Sequence, residues 1–356
     1  MLCDHGNNSF SFDSPGGVSV LIGPSHSEGF AARKCAAELA WHKQRLAVAD
    51  QVPQVDLDLF DVEIGVASPV AAFQVKPSEE SCCLNYQIYT LRSSPRLLRT
   101  LRGGFFSAAD TNLDGRVEIW AEDAEAFDGL DGLSATTFDF LPTYVLRFEG
   151  DRLLDATQEF APHFDAIISG LRTKLSWAQL ADFTASDGKL ALSIDDLEQL
   201  RKLRNTKMAV LEIVWSYLYS GREKEAWKAL REMWPPLDFD RIRTAIADRR
   251  SRGILTQIDG VVLQSARVKP RPVFRQSEVT PARAMNPSFP DLGPWVPKAV
   301  DFDLVIDSAG KVQSLTPEAD LDPYLLAYAR AWKFVPATKG GHSVASHLHL
   351  SLTLKR

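Results

Sequence analysis

Through the first ~155 residues, apolar and polar positions alternate in short runs: Val18–Gly23, Arg45–Ala49, Val55–Val62, Pro69–Val75, Leu84–Leu91 and Arg96–Leu101. Pro, Gly, Ser or charged residues bound each run, the pattern of strands in a β array. Gly29 to Ala40 reads instead as a short helix. Thr143–Phe148 and Arg152–Leu154 flank Glu149-Gly150-Asp151, which predicts a hairpin turn. From Gln158 the period becomes helical. Phe160, Phe164, Ile167, Ile168 and Leu171 recur at the three- and four-residue steps of one buried helix face. Ser193–Asp196 reads as a helix start with an acid at the third helical position. Met208 to Trp234 predicts two helices broken at Ser220-Gly221, and Phe239 to Arg252 a further helix.

Lys269 to Lys298 holds Pro270, Pro272, Pro281, Pro287, Pro290, Pro294 and Pro297, a density that favours an extended tether with few contacts. Beyond it, Asp301–Asp307 alternates as a strand, Ser308-Ala309-Gly310-Lys311 turns, and Val312–Leu315 returns. Asp322-Pro323 is an N-cap followed by proline at the first helical position. A helical stripe then runs to Trp332, and Val344–Leu354 forms the last strand, giving the order β-β-α-β. The expected class is therefore multidomain α+β: a β-rich region over 1–155, a helical region over 156–265, a Pro-rich linker over 266–298, and a small domain over 299–356.

Composition narrows the function classes. A net charge of −6 and a pI near 5.7, without a basic stripe, argue against nucleic-acid binding. No apolar run approaches the roughly 18 residues that span a bilayer. Met1-Leu2-Cys3-Asp4-His5-Gly6 lacks the basic and apolar regions of a signal peptide, so the start taken literally reads as cytosolic. Of the four cysteines, Cys82 and Cys83 are adjacent, closer than unstrained disulfide geometry allows. They are expected to pair with Cys3 and Cys35 or to stay reduced.

The stretch with the clearest chemistry is Asp110-Thr111-Asn112-Leu113-Asp114-Gly115-Arg116-Val117-Glu118. Oxygen-bearing side chains at 110, 112, 114 and 118 around a glycine turn are what a hard cation such as Ca²⁺ requires. The expected ligands are Asp110, Asn112, Asp114, Glu118 and the backbone carbonyl of Arg116. An EF-hand would need Glu at the twelfth position, which is Ala121, and Arg116–Trp120 reads as a strand. The loop therefore resembles the strand–loop–strand calcium hairpin of FG-GAP repeats, which implies a propeller-blade-like N-terminal region. The acidic segment Glu125–Gly132 reads as a solvated loop that could donate a further ligand. Ser186–Leu190 imitates a calcium loop, but Phe183 and Ala185 stand where ligands would be needed.

Two further resemblances follow from motifs. Tyr217-Leu218-Tyr219-Ser220-Gly221-Arg222 followed by Glu225-Ala226-Trp227-Lys228-Ala229-Leu230 is similar to one tetratricopeptide hairpin, here a packing unit, since about three repeats are needed for an independent array. Val305-Ile306-Asp307, Gly310-Lys311-Val312 and Ala329-Arg330-Ala331-Trp332-Lys333-Phe334-Val335-Pro336-Ala337 resemble the C-terminal domain of TonB-type energy transducers, over roughly the last 57 residues. That resemblance implies a periplasmic or cell-envelope domain pairing by strand addition with an extended polypeptide, such as an outer-membrane protein segment, or with a second copy of itself.

His347 and His349 share one face of a strand and, with His342, are a weak zinc set without a carboxylate at ligand spacing. Gly23-Pro24-Ser25-His26-Ser27 is only loosely a nucleophile elbow, lacking the second Gly. No Walker loop, dinucleotide fingerprint or zincin motif occurs. The expectation is a non-catalytic cell-envelope binding or adaptor protein. The alternative is a secreted or cytosolic hydrolase that docks through the C-terminal domain.

Overall fold

The computed structural model describes residues 2–25, 34–92, 94–138, 140–190, 196–262, 269–285, 287, 299–318 and 321–353. After β1 (Leu2–Asp4) comes a four-stranded meander of β2 (Phe10–Asp13), β3 (Val18–Pro24), β4 (Cys35–Trp41) and β5 (Gln44–Val52). Next are β6 (Gln54–Val62), β7 (Val70–Lys76), β8 (Leu84–Thr90) and β9 (Arg96–Gly103), which with β1 form a five-stranded sheet in the order β1-β6-β7-β8-β9. A second five-stranded sheet contains β10 (Phe106–Ala109), β11 (Glu118–Glu122), β12 (Thr143–Glu149), β13 (Arg152–Asp155) and, joined in parallel, β14 (Gly260–Val261). The β-rich, multidomain α+β expectation holds. The propeller-blade expectation does not, because these are open sheets rather than a ring of blades.

The central sheet is buried on both faces, which is why β7 reads Val-Ala-Ala-Phe-Gln-Val with every position buried. One face packs Leu57, Phe73 and Val75 against Val20, Ala37 and Leu39 of the meander. The other packs Val70, Ala72 and Tyr86 against Phe106, Ile119 and Leu146 of the neighbouring sheet. Bulges in β6 between Leu57/Leu59 and Phe60/Val62 let one strand feed both cores, since an extra residue changes which face the next side chain meets.

The helix expected over 29–40 is corrected for its described part. Cys35–Trp41 is a strand with alternating burial, held between β3 and β5, and residues 26–33 lie outside the description. Alternation of Cys35, Ala37 and Leu39 inward fits a period of two better than a helical face. The cysteine expectation is also revised. Cys3 and Cys35, with Cα atoms 5.9 Å apart, bond to each other and Cys82 bonds to Cys83. Cys3 shares a core with Cys35, whereas Cys83 packs with Ala124 and Ala135 elsewhere.

The helices are α1 (Ala124–Phe127), α2 (Ala161–Lys174), α3 (Trp177–Thr184), α4 (Leu197–Tyr219), α5 (Glu223–Met233) and α6 (Phe239–Arg250). Asp196 caps α4, accepting from the N–H groups of Glu198 and Gln199 at 2.9 and 3.2 Å; Ser193–Asp195 lie outside the described residues. The α4–α5 hairpin turns at Ser220-Gly221 as expected and buries Val210, Val214, Trp215, Ala226 and Leu230 in the same core as the β11–β12 sheet. The acidic segment after Asp123 is not a solvated loop. Phe127, Leu130 and Leu133 are buried, and Asp131 pairs with Lys207 and Arg241 at 3.0 and 2.6 Å.

The tether expectation fails for the described residues 269–285. The N–H of Phe274 donates to Ala345 at 3.0 Å, Thr280 and Thr338 exchange hydrogen bonds, and β15 (Arg283–Ala284) pairs with a strand of the C-terminal module. Ala282 and Met285 are buried. Prolines keep such a segment extended, and an extended segment can lie along a strand edge as readily as it can span solvent.

The C-terminal module contains β16 (Ala299–Ile306), β17 (Val312–Pro317), α7 (Pro323–Arg330), β18 (Phe334–Val335, the partner of β15), β19 (Ala337–Lys339), β20 (His342–Val344) and β21 (Ser346–Thr353). Its main sheet is ordered β17-β16-β21, and the expected last strand is split into β20 and β21. Trp332 stands edge-on to Phe302 with ring centres 5.2 Å apart, pinning the end of α7 to the sheet. Gly310 has φ of +80°, and a Cβ there would stand 1.9 Å from the Phe334 carbonyl oxygen, so the turn before Lys311 admits only glycine.

Two measurements test this architecture. The Cys3–Cys35 bond closes a loop with a separation of 32 residues. Loop entropy then gives it a stabilisation of about 3.5 kcal/mol. The double variant Cys3→Ser/Cys35→Ser should unfold at a clearly lower urea midpoint, and an unchanged midpoint would remove the link from the fold.

Asp123 offers a pH test. It is fully buried, accepts from the Tyr219 hydroxyl at 2.7 Å and the Ile254 N–H at 2.9 Å, and burial raises its pKa to about 6. Its folded pKa lies above the unfolded value of 3.8, so the folded chain holds more protons between these values. That contribution to stability is present below pH ~4, is lost as pH rises to ~6, and is flat above. The stability of Asp123→Asn minus that of the wild type should climb across this window by about 3 kcal/mol, at about 1.4 kcal/mol per unit. A difference that does not vary with pH would contradict the assignment.

Candidate functional site

The expected cation loop connects β10 to β11. Leu113 and Gly115 have φ of +56° and +80°, the second being the conformation for which glycine is suited. One oxygen of Asp110 accepts from the Asp114 N–H at 2.9 Å, and the other accepts from the Gly115 N–H at 2.9 Å and the Ser308 hydroxyl at 2.7 Å. Asn112 is exposed; its Oδ1 accepts from the Asp114 N–H at 3.1 Å and its amide donates to Asp114 at 3.2 Å. Arg116 turns its guanidinium onto Asp114, with Nη2 at 2.7 Å and Nε at 3.0 Å.

Glu118 is different. It is fully buried, and neither carboxylate oxygen has a hydrogen-bond partner among the described residues. Arg147 stands 3.5 Å away but is engaged by Glu159 at 2.8 and 2.9 Å. Burial first, and then the charge of Asp114, raise the Glu118 pKa to about 8. Asp110 is raised to about 6, chiefly by burial, with Asp307 and Asp114 adding to it against the hydrogen bonds from Ser308 and Gly115.

The structure thus brings Asp110, Asp114 and Glu118 together in one buried, mutually repelling group. It does not draw their ligand atoms into a set within 4.8 Å of one another. The donor chemistry fits a hard cation, because all donors are oxygens and Glu118 has two orphaned ones. The Arg116 guanidinium, from the residue whose carbonyl was the expected ligand, occupies Asp114 and competes with a cation there.

Contact with the C-terminal module is the part that sequence reasoning missed. The Asp110 N–H donates to Asp307 at 2.9 Å, and Gln313 donates to Asp307 at 2.9 Å and to the Asp110 carbonyl at 3.3 Å. The other oxygen of Asp307 accepts from the Ala309 and Lys311 N–H groups at 2.9 and 2.8 Å, so one buried carboxylate shapes the turn and grips the loop. The Lys311 ammonium reaches the carboxylate and carbonyl of Asp58, and Lys333 reaches Asp56 at 2.7 Å. Burial alone would raise Asp58, but the charges of Lys311 and Lys333, with hydrogen bonds from Lys311 and Tyr86, hold it below the usual range. Alternation in Val55-Asp56-Leu57-Asp58-Leu59 shows that the two acids share a face of β6; nothing local shows that this face is covered.

The remaining candidates stand apart. Ser25 donates to Asp50 at 2.6 Å and accepts from Gln51 at 2.5 Å; His26 and Ser27 lie outside the described residues. His342 meets Glu63 at 3.2 Å, away from His349, so the three-histidine set is not assembled. Instead His349 pairs with Asp303 at 3.1 Å beside Glu318 on the exposed sheet face, and the hydrogen bond to Asp303 raises its pKa. These three are ordinary cross-strand charges in solvent.

Comparisons with protein-family models, with curated proteins and with solved structures gave no match.

Calcium can be tested directly. Melts with Ca²⁺ and with chelator should differ for the wild type, by about 2.7 kcal/mol at a hundredfold excess over Kd. The difference should vanish in Glu118→Gln, which keeps the shape and removes the charge. Wild-type melts that superimpose, after the metal content of the sample is shown to be nil, would exclude a cation at the loop.

Proposed function

We propose that the chain is a non-catalytic binding or adaptor protein of the cell envelope. Its C-terminal module takes up an extended polypeptide by strand addition, while the Asp110 loop, holding Ca²⁺, steadies the β region beneath. The observation that carries this reading is the edge of β21. This strand pairs with β16 on one side only. Its first residues are covered, since the His347 N–H donates to Phe274 at 2.9 Å. In an antiparallel ladder the backbone groups alternate in direction, so His349 and Ser351 present theirs on the same outward side as His347. The turn Gln276–Glu278, which follows Phe274, also lies against β21, but among the described residues no strand pairs with that side. An unpaired edge is a template for another strand.

Two features support the reading. The motifs around Gly310-Lys311 and Trp332-Lys333-Phe334 resemble those of TonB-type C-terminal domains. The Cys3–Cys35 bond belongs in an oxidising compartment, in keeping with the periplasm. No helix among the described residues is long and apolar enough to cross a membrane. The partner in this reading is an outer-membrane protein segment or the same strand of a second copy.

Strand addition predicts a specific loss. His349→Pro removes an outward-facing N–H from β21, and Ser351→Lys places a charge beside the edge. Sedimentation of the full chain and capture of polypeptides from envelope extracts should show association in the wild type, weaker association in Ser351→Lys, and none in His349→Pro. Circular dichroism checks that each variant is folded. A wild type that stays monomeric and captures no polypeptide would exclude the strand-addition reading.

A further inference from the structure

A cavity of about 520 Å³ lies between the central sheet and the C-terminal module, within the ordinary range of small-ligand sites. Five charged residues line it: Asp56, Asp58, Lys311, Lys333 and Arg330. The first four are matched, Lys311 with Asp58 and Lys333 with Asp56. Arg330, at the end of α7, has no hydrogen bond or ion pair with any described residue and is exposed. Counting these side chains, three cations stand against two anions, a lining charge of +1. The lining also carries the polar side chains of Gln54, Gln74, Ser107 and Gln313, and apolar surface open to water: Phe105 is 55 % exposed and Leu2 39 % exposed.

We propose that this cavity binds a monocarboxylate with an apolar body, its carboxylate on Arg330 and its aliphatic or aromatic part against Phe105 and Leu2. A planar guanidinium receives a carboxylate through two parallel hydrogen bonds, which an ammonium cannot reproduce. The charge match selects a monoanion. A dianion such as a phosphate ester would leave one negative charge uncompensated beside Asp56 and Asp58, at a cost that grows with burial. An uncharged ligand would leave Arg330 unmatched. An apolar body would cover ring and aliphatic surface now open to water, at roughly 25 cal/mol per Å². The inference is independent of strand addition, since no residue of β21 lines the cavity.

Two probes of this class distinguish the source of such a carboxylate: decanoate for an acyl chain, and N-acetyl-leucyl-phenylalanine for a peptide terminus. Each is titrated into the full chain by calorimetry beside its uncharged amide. At least one acid should bind roughly tenfold or more tightly than its amide, the size expected of a charge-assisted pair. Arg330→Gln should abolish that ratio. Phe105→Ser should weaken acid and amide alike. Binding by decanoate alone identifies an acyl ligand, and binding by the peptide alone identifies a chain end. Equal affinity of acid and amide, an acid preference that survives in Arg330→Gln, or no binding of either probe at millimolar concentration overturns the proposal.

Discussion

Lys311 and Lys333 reach from the C-terminal module into two carboxylates on one strand of the central sheet, and the arrangement of the whole chain depends on that meeting. Asp58 is nearly inaccessible and also accepts from the Tyr86 hydroxyl at 2.6 Å and the Ala108 N–H at 3.0 Å. A buried carboxylate with so many donors is satisfied only while Lys311 is present. Pairs of this kind add little net stability when compared with an apolar replacement, but losing one partner leaves a buried charge, at a cost of several kcal/mol. Their effect is therefore on position. The module can sit on β6 in the one register that places both ammonium groups beside their acids.

The same logic extends to the cation loop. Asp307 sets the turn that presents Lys311 and also holds the backbone of Asp110, while Ser308 donates to the Asp110 carboxylate. The loop and the docked turn therefore share hydrogen bonds, and a change in the charge on Asp110 is felt by the module directly. Glu118 lies beneath without a hydrogen bond, its nearest cation being the Arg147 guanidinium at 3.5 Å, which Glu159 also holds. In a low-dielectric site such a group must either keep its proton or meet a cation, because ionising it alone is costly. No residue of β21 lines the Arg330 cavity, so a ligand held there does not use the strand edge.

Much of this was legible in the sequence. The alternation of Val18–Gly23, Val55–Val62 and Thr143–Phe148 gave strands because side-chain direction in a strand follows directly from order along the chain. The α4–α5 hairpin and the N-cap at Asp322 were readable for the same reason: the residues that form a cap or turn are neighbours in sequence; at α4 the acid expected at the third helical position, Asp196, is itself the cap. Asp110, Asp114 and Gly115 were recognisable as an acid-bearing glycine turn between two strands, whereas the folding of the Asp110 carboxylate onto the loop's own amides came from the structure. The failures have a common character. Residues 35–41 were assigned to a helix because small residues such as Ala36 and Ala37 fit either period, and the pairing with β3 and β5 decided between them.

What the sequence by itself determined was therefore most of the local elements, the glycine turn between β10 and β11 and the turn at Gly310. Tertiary structure alone decided which charges are buried and which are matched. Asp58 finds Lys311 across 253 residues, Asp110 finds Asp307 across 197, and Glu118 is left without a hydrogen bond only because Arg147 is drawn to Glu159. It also laid residues 274–285 along the C-terminal module where proline content suggested a free tether. The physical reason is that the energy of a charge or an extended strand depends on what covers it, and that cover comes from residues remote in the chain.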